Sequence, residues 1–406
     1  MIAGRIVAAL SLSQLVGWGV TFYWVGVFGD RIVADTGWSR GVVHGGFSLA
    51  LLVMGFASPT IGRAIDRAGG RWVMAAGSLA GALGLALLAT AHTLLHWFTA
   101  WVVLGLAMRM ALYDACFAAL VRIDPVAARR AITTVTLSGG LASTVFWFVG
   151  EALAARLGWR DATWVFAVLA LATLPLHLAV PAAAAPGATV TPRSGETAAS
   201  RTLPPPLAAT PEASREAAIL FGIVAVTTSV LASALAAHMI PLLVALGLTL
   251  PAAVAVSSLR GVGQSAARFA EFATGSRAHP LDLAAFACLL LPVTLALAPL
   301  AGASHAAALA FSIGGGAGNG LVTIARGAVP LVLFDPRAYG AITGRIGAPA
   351  FWFSALAPFV MALTLDHGGA GLALAGLAVP ALAAAVAALL LRWRFRPLPD
   401  RPPLIR

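Results

Sequence analysis

The sequence predicts an all-α membrane protein with twelve transmembrane helices in two pseudo-symmetric halves of six. Three observations support this prediction: the composition, the spacing of the apolar runs, and a short motif that recurs once in each half. Of the 406 residues, 60% are hydrophobic and only 10% are charged, whereas soluble domains carry about 25% charged residues. A chain of this composition is expected to lie mostly in lipid.

Apolar runs near the roughly 20 residues that cross a hydrocarbon core occur twelve times. The predicted spans are residues 5–28, 40–61, 72–92, 96–121, 131–155, 160–180, 217–246, 250–275, 280–301, 305–334, 338–365 and 370–392. Residues 181–216 are rich in Pro, Ala, Ser and Thr, a composition typical of a flexible linker. The predicted organisation is therefore a first half at 1–180, this linker, a second half at 217–396 and a cytoplasmic tail at 397–406.

The two predicted halves share a short motif at equivalent loops. The segment "IDPVAARRAIT" at 123–133 follows the fourth span, and "FDPRAYGAIT" at 334–343 follows the tenth. Both place Asp-Pro at the exit of one helix and Ala-Ile-Thr at the entry of the next. Repeats at corresponding positions indicate a duplicated unit whose copies are related by an axis along the membrane normal.

The basic residues predict the orientation. The chain has a net charge of +11, and all of its basic residues are arginine. Most arginines outside the spans fall in loops on one side, and the other side holds only Arg31, Arg40, Arg156 and Arg160. The positive-inside rule then places both termini in the cytoplasm, and we expect a bacterial inner (plasma) membrane. Because the charge is scattered between apolar runs, we expect no nucleic-acid partner, and no obligate protein partner is evident.

The loop after the second span, "IGRAIDRAGGRWVM" at 61–74, carries a recognisable signature. The matching residues are Gly62, Asp66, Arg67, Gly69 and Arg71. They resemble the Gly-x-x-x-Asp-Arg-x-Gly-x-Arg motif of the major facilitator superfamily, and the resemblance covers the whole chain. It implies the major facilitator fold and a gating role for this loop, in which Asp66 and Arg67 latch the two halves on the cytoplasmic side.

A second resemblance covers the first two predicted helices. The segment at 13–40 has a Gly- and aromatic-rich helix followed by Gly37, Trp38, Ser39 and Arg40. It is similar to the start of oxalate/formate and monocarboxylate-type porters. That resemblance implies that an arginine in the eighth helix binds an anionic substrate, and Arg260 lies in the matching span. Oxalate/formate porters also use a lysine in helix eleven, which this chain lacks.

Three arginines lie at bilayer depth in the predicted spans: Arg109 in the fourth, Arg260 in the eighth and Arg326 in the tenth. A central arginine costs about 2.5–3.5 kcal/mol on insertion scales, so each is expected to face a partner or a water-filled cavity. Asp114 is expected to face another helix, because it lies about 140° from Arg109 on one continuous helix. The surplus positive charge predicts an anionic cargo, since a guanidinium binds a carboxylate with two charge-assisted hydrogen bonds. A structural network inside the bundle is the alternative.

Other polar residues in the spans complete the candidate sites. The predicted substrate-binding residues are Arg260, Arg326, Arg109, Asn319, Gln14 and Trp18. The predicted proton-coupling residues are Asp114, His44 and His238, because histidine titrates near neutral pH and a carboxyl responds to the charges that face it. No residue cluster predicts catalysis, a metal or a cofactor.

The sequence therefore predicts a secondary active transporter and not an enzyme. The expected cargo is a small organic anion, with a monocarboxylate as the expected class, moved by proton symport or anion exchange. One alternative is an exporter of a drug or metalloid, for which Cys116 and Cys288 would supply thiols. Another alternative is a membrane receptor or assembly factor that uses the fold without transport.

Overall fold

The computed structural model describes residues 2–181, 205–275 and 277–396, and every regular element in these ranges is helical. The predicted all-α class is confirmed. Most of the predicted linker, residues 182–204, and the predicted tail, 397–406, lie outside the described residues. The chain forms two compact units. Unit 1 comprises the described parts of Met1–Pro204, Arg268–Ser276 and Pro336–Leu356, and unit 2 those of Pro205–Ala267, Arg277–Asp335 and Ala357–Arg406.

The helices of unit 1 come mainly from the first part of the chain. They are α1 (Gly4–Gly17), a π-helical turn (Trp18–Phe22), α2 (Trp24–Thr36), α3 (Arg40–Ala68), α4 (Gly70–Ala89), α5 (Leu94–Ala111), α6 (Tyr113–Ile123), α7 (Pro125–Gly139), α8 (Ala142–Ala172) and α9 (Leu174–Leu178). The end of α11 and the start of α14 also belong to this unit.

Aromatic rings form the centre of unit 1. Trp24 is fully buried, and its ring lies 6.0 Å from that of Trp97 and 5.7 Å from that of Trp101. Its indole N–H donates to the hydroxyl of Thr163 at 3.1 Å. Large rings give most of the buried area here, while the one polar atom of Trp24 has a partner on α8.

Unit 2 contains α10 (Pro211–Ala245), most of α11 (Leu250–Ala273), α12 (Pro280–Leu295), a 3-10 turn (Ala298–Leu300), α13 (His305–Leu333) and most of α14 (Tyr339–Phe395). The structure starts α10 six residues before the predicted seventh span, because Thr210 caps it: the Thr210 hydroxyl accepts from the N–H of Ala213 at 3.2 Å. Pro211 in the first turn suits this start.

Nine helical stretches in the described residues are long and apolar enough to cross a membrane. Two of them, Pro125–Leu178 and Pro336–Phe395, span 54 and 60 residues. Each contains a glycine with positive φ, Gly158 at 80° and Gly369 at 61°, so the chain bends inside both stretches.

We expect Thr163→Val to lower the stability of the protein by about 1 kcal/mol, because the buried indole N–H of Trp24 would lose its acceptor. Thermal melting of the detergent-purified chain measures this. Thr99→Val is the matched control, since the exposed Thr99 hydroxyl bonds only to Leu95 of its own helix. Equal melting temperatures for the two variants would contradict the role given to this contact.

Candidate functional site

Small residues on α13 hold α11 at unusually close range. A Cβ built on Gly316 would overlap the carbonyl of Arg260, and a Cβ on Gly320 would lie 2.6 Å from the carbonyl oxygen of Gln264. One turn earlier, the Ser312 hydroxyl donates to the carbonyl of Val256 at 2.5 Å. Because positions 312, 316 and 320 recur every four residues, they form one face of α13. The backbone of Arg260 is thereby fixed against α13.

The side chain of Arg260 is half-buried and forms no ion pair or hydrogen bond with any described residue. Its guanidinium lies beside Gly315 of α13. A Cβ at Gly315 would lie 3.9 Å from Nη1 of Arg260 and 3.5 Å from the hydroxyl oxygen of Thr294 on α12. The missing side chain of Gly315 thus leaves a space flanked by a guanidinium and a hydroxyl.

The polar stripe of α13 continues from this space. Asn319 lies one turn beyond Gly315, and the Thr323 hydroxyl donates to the Asn319 carbonyl at 3.0 Å. Arg326 is half-buried and donates through Nη1 to the Ser229 hydroxyl of α10 at 2.9 Å. It forms no ion pair within the described ranges. Unit 2 therefore brings Arg260, Asn319 and Arg326 onto neighbouring helices, with Thr294 and Ser229 as added hydroxyl groups.

Arg109 has a different environment in unit 1. It is 2% exposed, and its guanidinium donates to Ser58 of α3, from Nε to the hydroxyl at 2.7 Å and from Nη2 to the carbonyl at 3.3 Å. Nη1 is buried without a partner among the described residues. The contact with Ser58 connects α5 to α3. For Arg109 this favours the alternative stated above, a structural network inside the bundle.

The helix that carries Arg109 breaks at Leu112. Leu112 has extended backbone angles (φ −83°, ψ −167°) and separates α5 from α6. Asp114 lies in the first turn of α6 and interacts electrostatically with Arg109. The expectation that Asp114 serves only another helix assumed one continuous helix, and the break changes that geometry.

Gln14 and Trp18 lie beside this break. The Gln14 amide donates to the Ala111 carbonyl at 2.7 Å, at the end of α5. The Trp18 ring lies 4.8 Å from that of Tyr113, the first residue of α6. In the part of the chain that the structure describes, the Oε1 of Gln14 and the indole nitrogen of Trp18 are buried without hydrogen-bond partners. Trp18 opens the π-helical turn, a distortion that is frequent at functional sites.

The two candidate histidines lie apart from these groups. His44 is exposed near the start of α3, beside Gly29 and the ion pair of Arg40 with Asp30. His238 lies at a kink of α10, with φ −125° and ψ 15°. Their role in proton coupling stays a prediction.

Asp66 joins the end of α3 to the start of α14. Its carboxylate accepts from the N–H of Gly340 at 2.8 Å and of Ala341 at 2.6 Å. N–H groups in the first turn of a helix have no acceptor within that helix. A negative charge at the start of α14 also interacts favourably with the helix dipole. A Cβ on Gly62, one turn before Asp66, would overlap the Gly340 carbonyl. Gly62 therefore gives the close approach that lets Asp66 reach the helix end.

The rest of the signature shapes the turn between α3 and α4. Gly69 has φ 81°, a conformation that favours glycine. Arg67 is exposed at the end of α3, and the Arg71 guanidinium lies 5.2 Å from the centroid of the exposed Trp72 ring. The Arg122 side chain donates to the Asp66 carbonyl at 3.1 Å.

The described residues contain no group of three or more His, Cys, Asp or Glu side chains that could hold a metal ion. The groups near the three arginines are guanidinium, hydroxyl and amide groups, which are hydrogen-bond donors.

Sequence reasoning missed Thr294, Ser229 and Ser58, which supply the hydroxyl groups near the three arginines. Thr294 did carry a signal, since it is the only hydroxyl residue of α12. Ser229 and Ser58 have no recognisable signal in the sequence, because their arginine partners lie 97 and 51 residues away.

The long apolar helices of the described residues are those of an integral membrane protein. The family model described as Major Facilitator Superfamily matches residues 7–325. The chain belongs to that superfamily, so it is a secondary transporter and not an enzyme. No curated protein sequence matches the chain.

Two solved structures share this fold. The human organic anion transporter MFSD10 (TETRAN) is 16% identical with a TM-score of 0.68, and the alignment covers 95% of this chain and 99% of that chain. The E. coli fucose:proton symporter FucP is 15% identical with a TM-score of 0.69, covering 97% and 98%. At this identity the likeness establishes the fold alone.

We expect Gly316→Ala to destabilise the protein by about 1–3 kcal/mol, because the added methyl group must push α11 away from α13 at Arg260. Thermal melting measures the change. Gly261→Ala is the matched control, since a Cβ there meets nothing within 4 Å. A Gly316→Ala variant as stable as Gly261→Ala would show that the helices are not packed in this way.

We expect Asp66→Asn to speed hydrogen exchange of the first-turn amides of α14 by about tenfold, because the amide offers one acceptor and no charge to two N–H donors. Hydrogen-exchange mass spectrometry of peptides covering 339–345 reports this. Glu212→Gln, an exposed carboxylate in the first turn of α10, should leave the same peptides unchanged. Unaltered exchange in Asp66→Asn would remove the capping role.

Proposed function

We propose that this transporter moves a small organic anion by alternating access, with a monocarboxylate as the preferred cargo and with proton symport or anion exchange as the driving reaction. The observation that carries the proposal is the guanidinium of Arg260, which has no ion pair and no hydrogen bond in the described residues. A charge at bilayer depth costs several kcal/mol unless it is compensated. A carboxylate would supply the compensation through two parallel N–H···O bonds.

The space at Gly315 suits one carboxylate. Its oxygens would accept from Arg260, while the Thr294 hydroxyl could donate to the same group. The Thr294 hydroxyl bonds at present to the carbonyl of Leu290 at 2.7 Å in its own helix, so it can turn without leaving another residue unpaired. A side chain at Gly315 would occupy the position between the two groups, because a Cβ there lies 3.9 Å from Nη1 of Arg260 and 3.5 Å from the Thr294 hydroxyl.

Arg326 is proposed as a second anion contact. The Arg260 backbone lies level with Gly316, and Arg326 follows ten residues later on α13, which is about 15 Å along a helix. A small cargo that pairs with Arg260 therefore cannot easily pair with Arg326 at the same time. This separation favours a monocarboxylate over a short dicarboxylate, in agreement with the missing lysine of the eleventh span. Asn319 lies between the two levels and offers an amide.

We propose that some polar residues of unit 1 bind the cargo and that others take part in proton coupling. Gln14 and Trp18 present one acceptor and one donor without partners, which suits a polar substituent on the cargo. Arg109 already bonds to Ser58, so its proposed substrate role is confined to the remaining Nη1. Asp114 faces Arg109 at a helix break and is the preferred proton site, with His44 and His238 as the other candidates.

The twelve-span organisation is part of the proposal. Of the nine apolar stretches, Pro125–Leu178 and Pro336–Phe395 are each long enough to cross twice, with a bend at a glycine. The helix α11 is not among the nine, and it carries the polar residues expected of a span that lines a pathway. Counted in this way, the chain crosses twelve times. We propose that both termini are cytoplasmic in a bacterial inner membrane, and that the loop at 62–71 gates access.

Features of the two solved neighbours agree with the proposal without deciding it. One is titled an organic anion transporter and the other a fucose:proton symporter. Those titles support anionic cargo and proton coupling as the first properties to test in this chain.

We expect Arg260→Gln to weaken the affinity for carboxylates by more than about tenfold, because a hydrogen bond to a charged group contributes about 1.5–3 kcal/mol. Arg260→Lys should retain part of it, since the charge stays and the planar fork is lost. The measurement is the melting shift of purified protein with a panel of small carboxylates, followed by uptake into vesicles with and without a pH gradient.

Arg392→Gln is the charge-matched control, because Arg392 is a paired arginine at 2.7 Å from Asp282. Equal shifts in Arg260→Gln and the unchanged protein would reject Arg260 as the anion contact. Uptake that survives Arg260→Gln but is lost in a Cys116→Ser, Cys288→Ser variant would instead indicate thiol-dependent metalloid export. Vesicles without flux for any solute pool would favour a receptor or assembly role.

A further inference from the structure

A groove on unit 2 lies between the start of α10 and the end of α14, far in sequence from the residues proposed to bind cargo. It is an open groove with a volume of about 170 Å³, lined by Glu216, Ile219, Leu220, Leu390, Trp393 and Arg394. Ile219 is 55% exposed and Trp393 is 66% exposed. The floor of the groove is therefore apolar and accessible.

The polar groups of the groove lie at one end, where the apolar sequence stops. On α10 the apolar run begins directly after Glu216, and on α14 it ends at Leu391, directly before Arg392. Glu216 and Arg394 thus mark the level at which both helices leave the hydrocarbon. Tryptophan is enriched at that level, because its ring is apolar and its N–H is polar. The groove has the layout of a lipid: apolar along its length and charged at its end.

At the charged end of the groove, a carboxylate and a guanidinium each retain atoms that have no hydrogen-bond partner among the described residues. The Nε of Arg394 lies 3.3 Å from the Oε2 of Glu216, and both side chains are 45% exposed. Within the described ranges, neither the Oε1 of Glu216 nor the two Nη groups of Arg394 have a hydrogen-bond partner. The rim therefore offers an acceptor that carries negative charge next to donors that carry positive charge.

The neighbouring ion pairs differ in this respect. The two carboxylate oxygens of Asp282 are both occupied, by Arg392 at 2.7 Å and by Arg396 at 3.0 Å. Those pairs hold α12 against the end of α14. The Glu216–Arg394 pair is the one next to the apolar floor, and it retains the capacity to bind a ligand.

We propose that this groove binds a zwitterionic phospholipid whose headgroup carries a primary ammonium, as in phosphatidylethanolamine. The ammonium N–H groups donate to the Oε1 of Glu216, the phosphate accepts from the Nη groups of Arg394, and an acyl chain lies on Ile219, Leu220 and Leu390. A purely anionic headgroup would leave Glu216 facing negative charge, and a trimethylammonium group has no N–H to donate.

The test is lipid binding to the purified full chain, measured by native mass spectrometry. The probes share their acyl chains: phosphatidylethanolamine, its mono- and dimethyl derivatives, phosphatidylcholine and phosphatidylglycerol. We expect affinity to fall along the methylation series, with phosphatidylethanolamine about threefold tighter than phosphatidylcholine, the scale of an exposed charged pair. Glu216→Gln should abolish that preference, and Glu212→Gln, one turn earlier on α10, should keep it.

Two further variants separate the site from general lipid association. Trp393→Ala should weaken all of these lipids by a similar factor, and Trp72→Ala, which removes another exposed tryptophan, should not. Equal affinity for phosphatidylethanolamine and phosphatidylcholine would overturn the proposal. So would a preference for phosphatidylglycerol that depends on Arg394 and not on Glu216, since that marks an anionic-lipid site. Transport need not be measured, so failure here leaves the proposed cargo untouched.

Discussion

The contact between Gly316 of α13 and the backbone of Arg260 on α11 is the constraint on which the proposed site depends. Without a side chain at Gly316, α11 approaches until the Arg260 carbonyl touches α13. The guanidinium then lies beside Gly315, which is the residue before Gly316 on α13. The Thr294 hydroxyl of α12 flanks the same position. A glycine-rich segment, "GGGAGNG" at 314–320, therefore has an electrostatic consequence as well as a packing one. It fixes the position of a positive charge that no described protein group neutralises.

Several polar side chains of unit 1 have partners within the protein. Arg109 bonds twice to Ser58, Glu271 lies 3.6 Å from Arg129, and Asp66 caps the start of α14. In each case removal of one partner would strand the other in a low-dielectric interior, which is costly. Arg260 differs because its guanidinium has no hydrogen bond or ion pair with any described residue. We propose on this ground that Arg260 binds cargo.

Local patterns in the sequence predicted the helices, and tertiary packing decided the rest. Asn319 and Arg326 were predicted in one span, and the structure places both on α13, with Arg326 bonded to Ser229 of α10. The break at Leu112 could not be predicted, since neither proline nor glycine marks it, and it altered the relation of Arg109 to Asp114. The resemblance implied a latch role for Asp66, but local sequence could not identify its partner Gly340, which lies 274 residues away. The cap at Thr210 was hidden in a stretch whose composition is that of a linker.

In the described residues, ion pairs connect several helices, whereas Arg260 and Arg326 form no ion pair. The most direct test of the proposed role of Arg260 is an experimental structure with a bound small carboxylate. The account predicts density for the carboxylate within about 3 Å of the Arg260 guanidinium, beside Thr294 and Gly315. A cargo bound elsewhere, with Arg260 paired to a protein carboxylate, would contradict it.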